Sequence, residues 1–374
     1  MPDSTASQHD PAAEAQRSGV HSRLLAWYAA DGRAHLPWRD TRDPYAILVS
    51  EVMLQQTQVE RVLPKYREFL ARFPTLATLA AAPIAEVIKV WSGLGYNMRA
   101  VRLHQIAQQA MDEYGGALPN TLDSLLCLKG IGRYTAGAIA CFAFGLPVAT
   151  VDTNIRRVLW RAFRGIEPLT WPTGDRASRD LLALAEWALP AHAAYDWQQA
   201  LMDLGATLCQ SRRPVCERCP LTTCCAAYAE TARFTLFPSG EALAHLRDER
   251  AAAGTTPTLP AATDTADDSR LVAESRAPYT TSSPPPSPAR RATRPKPSQP
   301  FTTTSRYFRG RAVEALRALA PGEMLSLTDL GPRVKDTFTA DDLPWLRALL
   351  TGLARDGLAR ITADSDGTER VALP

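Results

Sequence analysis

Five of the seven cysteines fall between Cys209 and Cys225. Four of them, Cys209, Cys216, Cys219 and Cys225, stand at the spacing C-x6-C-x2-C-x5-C. Four thiolates at these distances, in a loop after a helix, can enclose an iron–sulfur cube. A tetrahedral zinc site also uses four thiolates, so spacing alone leaves both open. Cys224 adjoins Cys225 and is a second choice of fourth ligand, at x4 spacing. The loop also carries Arg212, Arg213 and Arg218, which could meet phosphates or stay solvated. A second reactive stretch is Leu128-Lys-Gly-Ile-Gly-Arg-Tyr-Thr-Ala136. Gly130 and Gly132 permit a tight turn and close backbone approach. A helix starting near Arg133 would point its free N–H groups outward, an anion site sized for one phosphate. Downstream, Asp152 stands just before a predicted helix, Ile155–Phe163. There it is either an N-cap or a carboxylate facing a developing positive charge.

The elements that must hold these groups are nearly all helical from His21 to about Tyr228. Apolar residues recur at helical spacing in Tyr45–Glu60, Ile84–Trp91, Leu103–Tyr114 and Asp180–Leu189. Gly and Pro punctuate them at Phe73–Pro74, Gly115–Pro119 and Gly145–Pro147. The glycine pair sits between two apolar helical runs, Leu122–Leu128 and Thr135–Phe144, so the stretch reads as a helix-hairpin-helix. Cys127 and Cys141 lie on those runs and read as core residues. The fold class expected is mainly α, with a cysteine loop over 209–225 inside a unit spanning 21–229 and a polar, frayed tail over 1–20.

Residues 250–305 are rich in Ala, Thr, Pro and Ser. Such a segment cannot bury enough apolar surface to offset its ordering entropy and reads as a disordered linker. Its arginines, Arg290, Arg291 and Arg294, leave open an extended arm that grips phosphate. Over 306–374 periodicity returns: helices over Arg306–Leu319, Leu327–Thr337 and Ala340–Asp356, then strands Leu358–Thr362 and Glu369–Leu373 around a turn at Asp364–Gly367. That pattern describes a small winged-helix-like module. It could bind DNA through Arg306, Arg309, Arg311, Arg333 and Lys335, contact a protein, or be a packed appendage.

The chain has 374 residues and a net charge of +3, so charge alone announces no polyanionic partner. No window approaches a membrane span, and the polar start is no secretory signal. A cytoplasmic, nucleoid-associated monomer is expected. In a long chain without such a signal, clustered cysteines point to metal rather than disulfides.

The x6–x2–x5 cysteine pattern resembles the [4Fe–4S] loop of the endonuclease III and adenine glycosylase superfamily. The roughly twenty residues between the hairpin glycines and Asp152 are also similar to that family. The resemblance covers about His21 to Tyr228 and implies a helix-hairpin-helix DNA glycosylase fold holding a [4Fe–4S] cluster, with Cys225 favoured as fourth ligand. Endonuclease III-type members place a lysine where this sequence has Tyr134, so little strand cleavage is expected. Leu36-Pro-Trp-Arg39 and Asp43-Pro-Tyr-Ala-Ile-Leu-Val-Ser-Glu-Val-Met-Leu-Gln-Gln-Thr-Gln-Val59 closely resemble the adenine DNA glycosylase family.

That resemblance makes Glu51 the catalytic acid. Its neighbours Val49, Val52 and Leu54 would raise its pKa. By the same resemblance Gln56 and Tyr96 enter a mismatched duplex beside the lesion, and Val59 and Gln199 line the base pocket. Asp152 stabilises the sugar cation, while Tyr134 and Asn154 orient the carboxylates; Gly130, Gly132 and Arg133 hold DNA. The activity implied is monofunctional removal of adenine mispaired with 8-oxoguanine or guanine in double-stranded DNA. A thymine or uracil mismatch glycosylase of the same fold, and a non-catalytic damage-binding protein, are the alternatives. The family's usual C-terminal sheet domain, which senses 8-oxoguanine, has no counterpart in the pattern of 306–374.

Overall fold

Caps and prolines start the helices. In a computed structural model, which describes residues 10–234 except 169, 172 and 173, and 301–374 except 365 and 366, the N-terminal part is a succession of helices. They are α1 (Pro11–Asp31), α2 (Pro44–Leu54), α3 (Val59–Arg72), α4 (Leu76–Ala81), α5 (Ile84–Val90), α6 (Met98–Glu113), α7 (Leu122–Cys127), α8 (Arg133–Phe142), α9 (Thr153–Phe163), α10 (Asp175–Ala188), α11 (Ala194–Thr207) and α12 (Ala226–Phe234). Asp43 caps α2 by accepting from the Tyr45 N–H, with Pro44 in the first turn. Every residue from Tyr45 to Met53 is buried, so α2 is apolar all round and is a central strut rather than a surface helix.

Two large apolar cores build this part, the first including the hairpin's Leu128 and Ile131. One gathers α2, α3, α6 and α8 around Leu48, Phe69, Trp91 and Ile139. The other gathers α1, α9, α10 and α11 around Leu24, Leu159, Trp197 and Leu204. Met202 of α11 packs against both. Glu51 stands on α2 of the first core and Asp152 at the start of α9 of the second, and the two lie within electrostatic reach.

Of the tail expected over 1–20, residues 1–9 lie outside the described residues and 11–20 are helical instead. Asp10 caps α1, and Val20 is fully buried against the second core. Gln16 donates to the carbonyls of Ala162 and Cys224, at 2.9 and 3.0 Å. The single helix suggested by Tyr45–Glu60 is broken between Leu54 and Val59. The apolar pattern continues across the gap, but the backbone of Gln56 turns left-handed (φ 55°).

Most of the linker expected over 250–305 lies outside the described residues. Its end does not: a short turn covers Phe301–Thr303, and Thr304 caps the next helix by accepting from the Tyr307 N–H. The C-terminal elements run α13 (Ser305–Arg317), β1 (Leu325–Ser326), α14 (Leu327–Val334), α15 (Leu343–Arg355), β2 (Arg360–Ala363) and β3 (Glu369–Ala372). β3 is central, pairing antiparallel with β2 (Ile361 opposite Val371) and with β1 (Leu325 opposite Val371). Three helices and a hairpin match the sequence expectation. The two-residue β1 is an addition.

This module does not stand apart. Its core includes Ile88 of α5 and Val101 of α6, with Ile84, Ala85 and Met98 packed on the rim. Polar ties reinforce the seam. Lys89 Nζ donates to the Leu319 carbonyl at 3.0 Å, and Arg317 donates to the Ile88 carbonyl (3.0 Å) and to Asn97 Oδ1 (2.8 Å).

Candidate active site

Glu51 is 7% exposed, on the last full turn of α2. Burial among apolar side chains pushes its pKa up from 4.5 to about 7. The Tyr134 hydroxyl opposes this by hydrogen bonding, the charge of Asp152 adds to it, and Arg39 opposes it. Tyr134, on the first turn of α8, is itself held well above the phenol range, first by burial and then by the charges of Glu51 and Asp152. It therefore remains a neutral donor, with Met202 Sδ also 3.4 Å from its hydroxyl. The three groups lie close enough to feel each other's charge.

Asp152 caps α9: its Oδ1 accepts from the Ile155 N–H at 2.7 Å. Its Oδ2 accepts from Asn154 Nδ2 at 3.3 Å. Burial raises its pKa from 3.8, while the Ile155 and Asn154 donors pull the other way. Capping leaves Asp152 within reach of the Glu51 charge. The helix N-terminus and the Asn154 amide favour the anion, and the charge of this carboxylate is felt at Glu51.

Asn154 is fixed in turn. Its Oδ1 accepts from Arg157 Nη2 at 2.8 Å, and Arg157 also donates to the carbonyls of Gly205 and Cys209, both at 2.7 Å. Gly205 allows this approach of α9 and α11: a Cβ there would lie 2.8 Å from Asn154 Cβ. Arg157 therefore ties the Asp152 group to the first cysteine of the loop. Arg161 adds a second tie, donating to the carbonyls of Gln210 (2.8 Å) and Ser211 (3.1 Å) and lying 3.5 Å from Cys209 Sγ.

In that loop Cys209, Cys216, Cys219 and Cys225 each lie within electrostatic reach of the others. Burial pushes the Cys216 thiol up to about 11 and Cys225 to about 12. Cys224 points elsewhere: its Sγ is 3.5 Å from the Leu221 carbonyl, and its Cβ lies against Gly19 of α1. No three His, Cys, Asp or Glu side chains among the described residues are gathered closely enough to hold a single metal ion. Arg212, Arg213 and Arg218 are exposed.

The hairpin connects α7 to α8 as expected. Gly130 needs its glycine (φ 95°), with Arg102 packed over it, 3.4 Å from where a Cβ would stand. Gly132 does not need positive φ. It is the N-cap of α8 (φ −92°) and supplies no capping side chain, so the first N–H groups of α8 are left to face outward. Arg133 is exposed beside them.

Gln56 (φ 55°) and Tyr96 (φ 46°) are the only non-glycine residues with left-handed backbone among those described, and both are exposed. Backbone strain of this kind persists only where surroundings enforce it. The enforcing group is Arg99, 6% exposed, which no pattern in the sequence signals. Its guanidinium makes six hydrogen bonds, all to neutral oxygens. They are the carbonyls of Val52, Met53 and Gln55 at the end of α2, the Thr57 hydroxyl, and the carbonyls of Leu94 and Gly95 beside Tyr96. Burial pulls its pKa down to about 10, which still leaves it charged at neutral pH.

Val59 begins α3, half-buried, and Gln199 is 4% exposed on α11. Its neighbour Gln198 is a second residue that sequence reasoning missed. It donates to the Val148 carbonyl at 2.6 Å and accepts from the Thr150 N–H at 2.9 Å, fixing the strand of chain that leads to Asp152. On α11, buried Asp203 is gripped by Arg39 (2.6 and 2.7 Å) and Arg33 (2.7 Å). Those hydrogen bonds hold its carboxyl below the usual range although burial pushes the other way. This pairing explains Arg39 in the Leu-Pro-Trp-Arg motif.

A buried carboxyl with a raised pKa thus stands within electrostatic reach of a helix-capping carboxylate. Residues 49–181 match the family described as HhH-GPD superfamily base excision DNA repair protein. An adenine DNA glycosylase of Mycolicibacterium smegmatis is 46% identical over 202 residues, 54% of this chain and 67% of that one. One from Mycobacterium tuberculosis is 42% identical over 217 residues, 58% of this chain and 70% of that one. The human adenine DNA glycosylase is 41% identical over 235 residues, 60% of this chain but only 42% of its own length. A solved structure of a thermostable thymine-DNA glycosylase superposes with a TM-score of 0.54 at 33% identity, covering 59% of this chain and 99% of that one. The chain belongs to the adenine DNA glycosylase family of this superfamily. No helix among the described residues is long and apolar enough to cross a membrane.

Proposed function

We propose that this protein hydrolyses the N-glycosidic bond of adenine mispaired with 8-oxoguanine or guanine in double-stranded DNA, with Glu51 as acid and Asp152 as anion. The observation that carries this is the pair itself: a carboxyl raised to about 7 within electrostatic reach of a carboxylate held by a helix N-terminus. A base inside a duplex must be extruded before its bond can break. Gln56 and Tyr96, exposed and with left-handed backbone, would fill the space it leaves.

Protonated Glu51 would give its proton to N7 of adenine, so that the base leaves neutral. The sugar then gains oxocarbenium character, which ionised Asp152 stabilises. Water completes the hydrolysis, with the roles divided between two carboxyls as in sugar hydrolysis. Tyr134 donates to Glu51 and steadies it. Asn154 holds Asp152, with Val59 and Gln199 lining the base site. Tyr134 is no amine and forms no Schiff base with the sugar, so the protein is monofunctional.

Cys209, Cys216, Cys219 and Cys225 would hold a [4Fe–4S] cluster; four thiols within reach of one another, with Cys216, Cys219 and Cys225 desolvated by burial, fit that group. When bound, the cluster pins the loop. The loop's ties through Arg157 and Arg161 then reach Asn154 and α9. The hairpin N–H groups at Gly132 and Arg133 are the phosphate seat.

The likeness to a thymine-DNA glycosylase structure supports a second reading, thymine release from T:G pairs. Excision assays on A:8-oxoG, A:G, T:G and U:G duplexes separate the two. Release of adenine only from the first two is expected. Thymine release without adenine release would replace the first reading by the second. No release from any duplex would leave a DNA-binding protein.

A further inference from the structure

The seam between the glycosylase helices and the C-terminal module encloses an open cavity of about 1230 Å³. On one wall are the strained loops carrying Gln56 and Tyr96; on the other is α13. Its charge is one-sided. Arg61, Arg102 and Arg306 line it, and none of the three makes an ion pair among the described residues. Three more lining arginines, Arg309, Arg311 and Arg317, are spoken for by Asp356, Asp336 and Glu314. Glu314 is the only acid on the wall, and it is already paired.

Aromatic faces interleave with these charges. Tyr96 is 41% exposed and Phe301 is 60% exposed. The Arg306 guanidinium lies 4.1 Å from the Tyr96 ring centroid, so the module touches the loop residue directly. Phe301 and Tyr307 meet edge to face at 5.7 Å on the same wall. Arg102 packs over Gly130 of the hairpin and also lines the cavity, so one arginine joins the hairpin to this wall.

Arginines without counter-ions, set among exposed aromatic rings, match a phosphodiester backbone with bases that can stack. An acidic peptide would satisfy the arginines but not the rings. We propose that this cavity is a second DNA seat, in which α13 of the C-terminal module grips backbone phosphates beside the extruded base through Arg306, with Arg61 and Arg102 opposite. The proposal rests on the glycosylase reading for its ligand. It also revises the sequence expectation for the module. Arg309, Arg311 and Lys335 are paired with acids, and Arg333 lies outside the cavity, leaving Arg306 as the module's working cation.

The test is the salt dependence of binding of the full chain to an A:G duplex. Each phosphate that a side chain ceases to neutralise lowers the slope of log K against log salt by about 0.9. Arg306→Ala and Arg102→Ala should each lower the slope by about that much and weaken binding several-fold at low salt. Arg306→Lys should keep the slope and lose part of the affinity, because a lysine restores the charge but not the stacked guanidinium. Arg333→Ala, the same charge removed from outside the cavity, should leave the slope unchanged.

An unchanged slope in Arg306→Ala, in protein shown by circular dichroism to be folded, overturns the proposal. An equal drop in Arg333→Ala does so too, since the effect would then be one of net charge. Binding of a polyglutamate peptide that Arg306→Ala abolishes, with the DNA slope intact, would assign the cavity to an acidic protein segment instead. Failure here is distinct from failure of the glycosylase reading. Adenine release with a wild-type slope in Arg306→Ala sinks only the second seat. An Arg306-dependent slope without adenine release sinks only the catalytic reading.

Discussion

Raising pH from 6 to 9 should switch the reaction off along a curve set by Glu51. Its pKa is raised from 4.5 to about 7, chiefly by burial. The rate of bond cleavage follows the fraction of enzyme with Glu51 protonated and Asp152 ionised. That fraction is limited by Glu51 on the alkaline side, at about nine-tenths at pH 6, half at pH 7 and one per cent at pH 9. Single-turnover excision at saturating enzyme should therefore fall about 90-fold from pH 6 to pH 9. On the acid side Asp152, raised above 3.8, brings the rate down sooner than an ordinary aspartate would. The two carboxyls are coupled, so the two limbs belong to the pair.

The same shift has a stability signature. A carboxyl with a folded-state pKa above its unfolded value adds stability that is complete below pH 4.5 and lost as pH rises through about 7. The loss amounts to about 3 kcal/mol. Glu51→Gln carries no such charge, so its melting temperature should gain on wild type between pH 5 and pH 8. A pH-independent excision rate across 6 to 9, together with a pH-independent gap in melting temperature, would refute a buried proton donor at Glu51.

Other consequences follow from the residues that hold this pair. Arg99→Met strands the carbonyls at the end of α2 and should cost about 3 kcal/mol in denaturant unfolding; Arg99→Lys should recover part of it. Because Arg99 also fixes Gln56 and Tyr96, the lysine variant should show reduced base extrusion by 2-aminopurine fluorescence even where it is fully folded. Arg157→Met frees Asn154 and should lower single-turnover excision by about tenfold or more, with little change in DNA Kd. Cys225→Ser should lose bound iron, measured per chain, whereas Cys224→Ser should keep it, since its Sγ faces Leu221 and α1.

Local chemistry was legible in the sequence. Asp152 could be read as a cap because capping is decided by the next three residues. The hairpin could be read because glycines sit between two apolar runs. Glu51 could be placed in an apolar setting from Val49, Val52 and Leu54 alone. What escaped was set by partners distant in sequence. The break after Leu54 is held by Arg99, more than forty residues on, while the apolar pattern itself runs straight through. The polar start of α1 hid a helix because Gln16 finds its partners at Ala162 and Cys224. The docking of the C-terminal module on α5 and α6 was invisible for a different reason. Ile88 and Val101 have the same apolar character whether they face their own core or another element. β1, at two residues, is too short to alternate.

Single-turnover excision of adenine by Glu51→Gln, alongside the Kd of the same variant for the same duplex, is the most direct trial of the proton donor. Glutamine keeps the volume and the contact with Tyr134 but has no proton to give. Cleavage should fall by on the order of a hundredfold or more, with the Kd within a few-fold of wild type. A variant that cleaves at the wild-type rate, or one that fails only because it no longer binds DNA, would contradict Glu51 as the acid.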